Sequence, residues 1–336
     1  MDISFFDFFK EAVISPPMLT ATLLTLGVIF VNGWTDAPNA IVSCVCSNTL
    51  SMRKAVFTAA ICNLAGVLIM TFINSSVAKN IFECADFSDS EYGHAALCAA
   101  LASVIILAVG AWIFGIPTSE SHAIISALIG AAAACKAAVN LRVIAYTFIG
   151  LILSVAGGFI IGYFLFRYMK RKTYKKKKLK RLQILGAVLM SFMHGAQDGQ
   201  KFISIFLVAI SLQSSTTQAG AGFYIPIWTA LLCSLTMACG TALGGGRIIR
   251  TVGKKMVNLD LKQGVCADIA GSISLFLSTC LGLPVSTTHA KTSSVMGCGF
   301  VDSALNTHTA FEMLAAWIIT FPACFIMGYI FTRLAM

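Results

Sequence analysis

Long apolar stretches alternate with short polar breaks, and the pattern runs through the chain twice. Residues 18–50 are apolar but interrupted at 32–39, where Gly33 and Pro38 are expected to break the helix. Residues 54–73 form a span, 95–135 two helices meeting at Gly115-Ile116-Pro117, and 141–166 a further span. A second set follows. Residues 182–211 are expected to break at 194–200, and 224–243 form a span. Residues 263–300 form a helical pair meeting at Gly282-Leu283-Pro284, and 311–332 a closing span. Continuous apolar runs of this length predict membrane-crossing helices, and their lack of alternation speaks against a barrel. The predicted fold is an all-α polytopic membrane protein. It has two inverted-topology repeats, 1–166 and 182–336, each with a broken helix and a re-entrant helical hairpin.

Composition agrees with this class. Hydrophobic residues make up 57% of the chain and charged residues 11%, against about 25% charged in an ordinary globular domain. The N-terminal region carries Asp2, Asp7, Lys10 and Glu11 and lacks the basic-then-apolar order of a cleaved signal peptide. The 12 cysteines are scattered through apolar segments without a C-x-x-C pair, so neither a disulfide framework nor a zinc site is expected.

The net charge of +10 resides in one segment. Arg167, Lys170, Arg171, Lys172, Lys175, Lys176, Lys177, Lys178, Lys180 and Arg181 account for all of it. Between membrane spans such a run marks a cytoplasmic linker, here 167–181, able to touch anionic lipid. Nucleic acid is not an expected partner. With each helical pair re-entrant, three spans per half invert the second half and place both termini outside. Arg53, Lys54, Arg247, Arg250, Lys254, Lys255 and Lys262 then lie inside, with Lys136 and Arg142 outside as exceptions. The expected location is the cell (inner) membrane.

Four polar motifs carry the candidate chemistry. Two are Gly-x-Pro corners followed by hydroxyls: Gly115-Ile116-Pro117-Thr118-Ser119-Glu120-Ser121-His122 and Gly282-Leu283-Pro284-Val285-Ser286-Thr287-Thr288-His289. Each starts a helix at membrane depth, so Ser119, Ser121, Ser286, Thr287 and Thr288 surround two helix N-termini with donors. Two positive dipole ends facing one point suit a small oxyanion such as phosphate or sulfate. The other two motifs place Asp36 and Asp198 in the middle of apolar segments, where a carboxylate is costly. Asn32, Asn39, Thr35, Gln197 and Gln200 add neutral oxygens, which with a carboxylate make a hard-cation ligand set. Two carboxylates and an oxyanion cannot share a low-dielectric region without cations, which gives a physical reason for coupled uptake.

The series N-G-x-x-D-x-x-N-A, G-x-P-T-S-x-S-H, a basic linker, H-G-x-x-D-x-Q-K and G-L-P-V-S-T-T-H resembles the inorganic phosphate transporter (PiT) family over nearly the whole chain. The resemblance implies cation-coupled phosphate symport by alternating access, in a homodimer. By matching position it implies phosphate ligands at Ser119, Ser121, Ser286, Thr287 and Thr288. It also implies cation (sodium) ligands at Asp36, Asn39 and Asp198, to which the residue types near the breaks add Asn32, Gln197 and Gln200 as candidates. No organic cofactor is expected, and the coupling ion is sodium or the proton. There are departures. Gln197 precedes the second aspartate where the family often has Asn, and Lys201 stands opposite Asn39, so the two cation sites need not be equivalent. Glu120, opposite Thr287, would repel an anion if ionised and unpaired; protonated or paired, it could accept a hydrogen bond from a phosphate O–H.

Two rivals deserve weighing. Ser119 and His122 share a helix face and could mimic the nucleophile and base of a hydrolase, but an enzyme needs one constellation and here everything is doubled. A sulfate permease would use the same donors. Sulfate, unlike phosphate near neutral pH, has no O–H for Glu120 or an aspartate to accept.

Overall fold

The computed structural model describes residues 4–213, 223–243 and 246–336. The first half comprises α1 (Phe5–Ile14), α2 (Pro16–Thr35), a 3-10 turn (Ala37–Ile41), α3 (Val42–Cys46), α4 (Met52–Ile73), α5 (Ser76–Phe82), α6 (Gly93–Phe114), α7 (Glu120–Cys135) and α8 (Leu141–Lys170). The second half comprises α9 (Lys176–Gln213), α10 (Ile227–Leu243), α11 (Gly246–Arg250), a π-turn (Thr251–Met256), α12 (Leu261–Cys280), α13 (Thr287–Val301) and α14 (Thr307–Ala335). Among the described residues, five helical segments are long and apolar enough to cross a membrane. Large apolar side chains such as Phe57, Ile152, Phe164 and Ile318 are exposed on the outer surface, while many serines and threonines, with Asp36, Asp198, Asp268, Lys201 and Lys291, are buried within. That outside-apolar, inside-polar order fits a lipid solvent.

The first broken helix is present. Asp36 ends α2, and Pro38, which has no N–H to offer, sits in the 3-10 turn that interrupts the helix before α3, within one apolar span from Pro16 to Cys46. The second predicted break is absent: α9 is one 38-residue helix. Nothing between His194 and Lys201 lacks an N–H, and the two glycines there serve packing instead. A Cβ at Gly195 would sit 2.1 Å from the Asn63 carbonyl of α4, and one at Gly199 would strike Val67. The basic linker also shrinks. α8 runs on to Lys170 and α9 begins at Lys176, because lysine and arginine are good helix formers.

Glycine-mediated close crossings join the two halves. Gly33 of α2 meets Met237 of α10, and Gly240 of α10 meets Phe30; Gly66 of α4 meets Phe192 of α9, as Gly195 meets Asn63. Likewise Gly130 of α7 packs on Phe325 of α14, and Gly297 of α13 on Phe159 of α8. Lacking an apolar driving force in lipid, helices associate where small residues let backbones approach.

Each hairpin is stitched at its base by the segments flanking it. Ala85–Asp86 pairs antiparallel with Ala138–Val139 around α6–α7, and Val257 bridges Leu305 around α12–α13. The corners are Gly115 (φ 70°) and Gly282 (φ 68°), a conformation that suits glycine. The Gly115 corner lies against Arg247 and Thr251, just before the other hairpin's base. The Gly282 corner lies against Ser76 and Asn80, just before the first hairpin's base. The two hairpins therefore run in opposite senses. Their arms are unequal: the 22-residue α6 spans about 33 Å and the 16-residue α7 about 24 Å. The first arm can cross a ~30 Å hydrocarbon core and the return arm begins part-way back. This modifies the simple re-entrant expectation.

Candidate functional site

The N-termini of α7 and α13 meet in the interior. Ser119 and Ser286 are the N-caps, each accepting a bond from the backbone N–H of the histidine three residues on, His122 at 3.3 Å and His289 at 3.2 Å. Those two imidazoles pack in a tilted arrangement with centroids 4.7 Å apart, and His289 packs likewise on Trp317, whose indole N–H donates to the Pro117 carbonyl. The histidines thus pack the two tips together. His122 makes no side-chain bond to Ser119 among the described residues, so the hydrolase-like pair does not form.

Asp36 stands where α2 stops. Its Oδ1 accepts from Thr288 Oγ1 at 2.8 Å, and Asn39 Nδ2 donates to the same Thr288 oxygen at 3.1 Å. The Glu120 backbone amide, at the start of α7, also bonds to Asp36. Glu120 Oε1 lies 2.5 Å from Thr35 Oγ1. The Asn32, Asn39 and Glu120 side chains each keep one buried oxygen with no hydrogen-bond partner. Buried acceptors left this way are costly and mark a place that calls for a donor or a cation.

Asp198 lies mid-helix on α9. Its Oδ2 accepts from Asn32 Nδ2 at 3.2 Å and Thr287 Oγ1 at 3.1 Å; its Oδ1 accepts from Lys201 Nζ at 2.6 Å. Lys201 also donates to Ser121 Oγ and to the Val285 carbonyl, both at 2.5 Å, and Ser121 donates to Val285 at 3.2 Å. His194 Nε2 is 3.3 Å from Asp198 Oδ2 without hydrogen-bond geometry.

Most of the expected residues therefore converge. Asp36, Asn39 and Thr288 form one cluster, which Glu120 joins through its backbone bond to Asp36; Asp198, Asn32, Thr287, Ser121 and Lys201 form the other. Asn32, expected beside Asp36, reaches the opposite aspartate. Gln197 turns away to Thr279 and the Leu283 carbonyl, and Gln200 accepts from the Ala78 amide of α5, so neither touches an aspartate. An unbroken α9 explains this, since one helix face cannot present Gln197, Asp198 and Gln200 to a single point. The sequence marks Lys201 only as a departure opposite Asn39 and carries no signal for the Val285 carbonyl, which is a backbone atom. A second buried pair, Lys291 with Asp268, ties the two arms of the second hairpin together and reaches Ser43 of α3 and Gln183 of α9.

The phosphate transporter family model matches residues 32–328. The chain belongs to that family. A Bacillus subtilis relative described as a probable low-affinity inorganic phosphate transporter is 35% identical over 318 residues, covering 92% of this chain and 94% of its own. A Rhizobium meliloti relative of the same description is 32% identical over 325 residues, covering 93% and 95%. A solved structure of a sodium-dependent phosphate transporter superposes with a TM-score of 0.85 over 95% of this chain and 99% of its own. At 18% identity that likeness speaks for the shared fold. The family is one of multi-pass membrane transporters, not enzymes.

Proposed function

We propose that the protein imports inorganic phosphate by symport with cations, sodium ahead of protons, through alternating access of two inverted repeats. The observation that carries this reading is the meeting of two helix N-termini at a buried cluster of three carboxyls. The cell membrane, with the basic linker cytoplasmic and both termini outside, is the proposed setting, and a homodimer the proposed assembly.

Donor accounting supplies a coupling mechanism. A threonine hydroxyl has one proton, and here Thr287 gives its proton to Asp198 and Thr288 to Asp36. Neither can serve phosphate until its carboxylate is satisfied otherwise. A cation at Asp36, held by the free oxygens of Asn32, Asn39 and Glu120, releases the Thr288 proton toward the anion. Ser119 and Ser286 accept as caps and keep their own protons for the same purpose. Phosphate is favoured over sulfate because the unpartnered Glu120 Oε2 can accept a phosphate O–H.

One observation favours a proton in the cycle. Thr35 Oγ1 has both the Val31 carbonyl, at 2.9 Å, and Glu120 Oε1 within reach, yet only one proton. A Glu120 that carries a proton and donates it to Thr35 satisfies all three atoms.

Radiolabelled phosphate uptake into proteoliposomes, under an imposed sodium or proton gradient with sulfate as competitor, tests the proposal. Sodium-driven uptake abolished by Asp36→Asn is expected. Uptake under the proton gradient alone, lost in Glu120→Gln, would reassign the ion. Sulfate entry without phosphate entry would overturn the substrate.

A further inference from the structure

The Lys201 ammonium sits in a cradle of three oxygen atoms. Its three N–H bonds go to a carboxylate (Asp198), a hydroxyl (Ser121) and a main-chain carbonyl (Val285), at 2.6, 2.5 and 2.5 Å. These are all-oxygen ligands of the kind that hold hard cations. They come from α9 and from the tips of both hairpins. Ser121 stands between the capping Ser119 and His122, and Val285 immediately precedes the cap of α13. The side chain is 1% exposed, so all three protons of the ammonium find acceptors inside the protein.

The matching position in the first half behaves differently. Asn39 also follows its aspartate by three residues, but it is neutral and gives one N–H to Thr288 while its oxygen stays unpartnered. Asp36 makes no ion pair among the described residues, whereas Asp198 pairs with Lys201.

We propose that Lys201 is a tethered cation permanently occupying the second cation site, so that Asp198 exchanges no ion and Asp36 holds the mobile one. This rests on the reading of the paired aspartates as cation ligands. Lysine supplies the charge that lets Asp198 stay buried beside a bound anion, and it does so without crossing the membrane as cargo. Each phosphate is then accompanied by one metal cation fewer than a protein with two open sites would need. The ammonium also clamps both tips to α9.

The test separates a cation site from a merely structural ion pair and requires no transport. The purified full-length protein is heated in detergent with sodium chloride replacing choline chloride at constant ionic strength. Ligand that binds only the folded state raises the melting temperature. Asp36→Asn, which keeps Lys201, should lose the sodium dependence of the parent. Asp36→Asn/Lys201→Asn should regain it, with a rise of about 2 °C or more, because the Asp198 site is then open. A double variant that folds, elutes as one species and shows no sodium-dependent rise overturns the proposal. So does Asp36→Asn keeping the parent's full dependence.

Should the double variant not fold, Lys201→Asn alone in proteoliposomes supplies the second measurement. Phosphate uptake should rise more steeply with sodium, the Hill coefficient moving from about one toward two. An unchanged sodium profile with uptake intact overturns the inference. A parent that carries no phosphate but still shows the melting-temperature pattern would sink the transport reading and leave the Lys201 assignment standing.

Discussion

Asp36 and Asp198 occupy matching places in a repeated motif, yet their surroundings have diverged. Pro38 stops α2 and leaves Asp36 at a chain break, with loose amide oxygens and no ion-pair partner among the described residues. Around Asp198 the helix continues, and a lysine one turn on supplies the missing charge. Two residues account for the contrast: Pro38 against Gln200, and Asn39 against Lys201. On the proposed reading, the two halves keep a shared motif while dividing the labour, one exchanging an ion and the other carrying its own.

Removal of each carboxylate in turn should have the largest effects. Asp198→Asn leaves a buried ammonium without its counter-charge and should cost about 3–5 kcal/mol of stability. Asp36→Asn removes an unpaired buried charge and should leave stability unchanged or raised while abolishing uptake. Thermal unfolding in detergent beside proteoliposome uptake checks both, and equal losses of stability would show the two sites to be alike after all. Next in size is the hydroxyl pair. Thr288→Val deprives Asp36 of its side-chain donor and removes a group argued to turn toward phosphate. A charge-assisted bond of about 1.5–3 kcal/mol corresponds to uptake at limiting phosphate lowered tenfold or more. Thr287→Val should cost less, because Asp198 retains Asn32 and Lys201. If Thr287→Val proves the more damaging, the assignment of the exchanging site to Asp36 is wrong.

The smallest expected effects sharpen what the halves still share. Gly33→Ala and Gly195→Ala each push a methyl to within about 2.2 Å of a carbonyl on the facing helix. Both should destabilise by about 1–3 kcal/mol, read as a lower melting temperature. A tolerant Gly195 would mean that α9 can shift or break at that point, as the motif pattern first suggested.

Much of the architecture was legible in the chain. The apolar runs, the Gly-x-Pro corners and the doubled order of motifs placed the helices and the two tips, because lipid forces every span to satisfy its own backbone and the period of the pattern follows. The broken first helix was readable too, since Gly33, Asp36 and Pro38 crowd one apolar span, whereas the lone Pro322 leaves α14 continuous. The second break was not. Glycine in a membrane helix signals either a break or a close crossing, and only the presence of α4 against α9 distinguishes them.

Residue types and their doubled order alone singled out the candidates for chemistry: two membrane-depth aspartates, Glu120 and the hydroxyl clusters, with Lys201 visible only as a mismatch to Asn39. Tertiary structure decided who meets whom. Asn32 crosses to the opposite aspartate, Gln197 and Gln200 turn to hairpin and helix backbones, and Lys201 finds the Val285 carbonyl 84 residues away. The physical reason is that residue type fixes charge and hydrogen-bonding capacity locally. Pairing depends on distances set by how helices from the two halves cross, which no local pattern encodes.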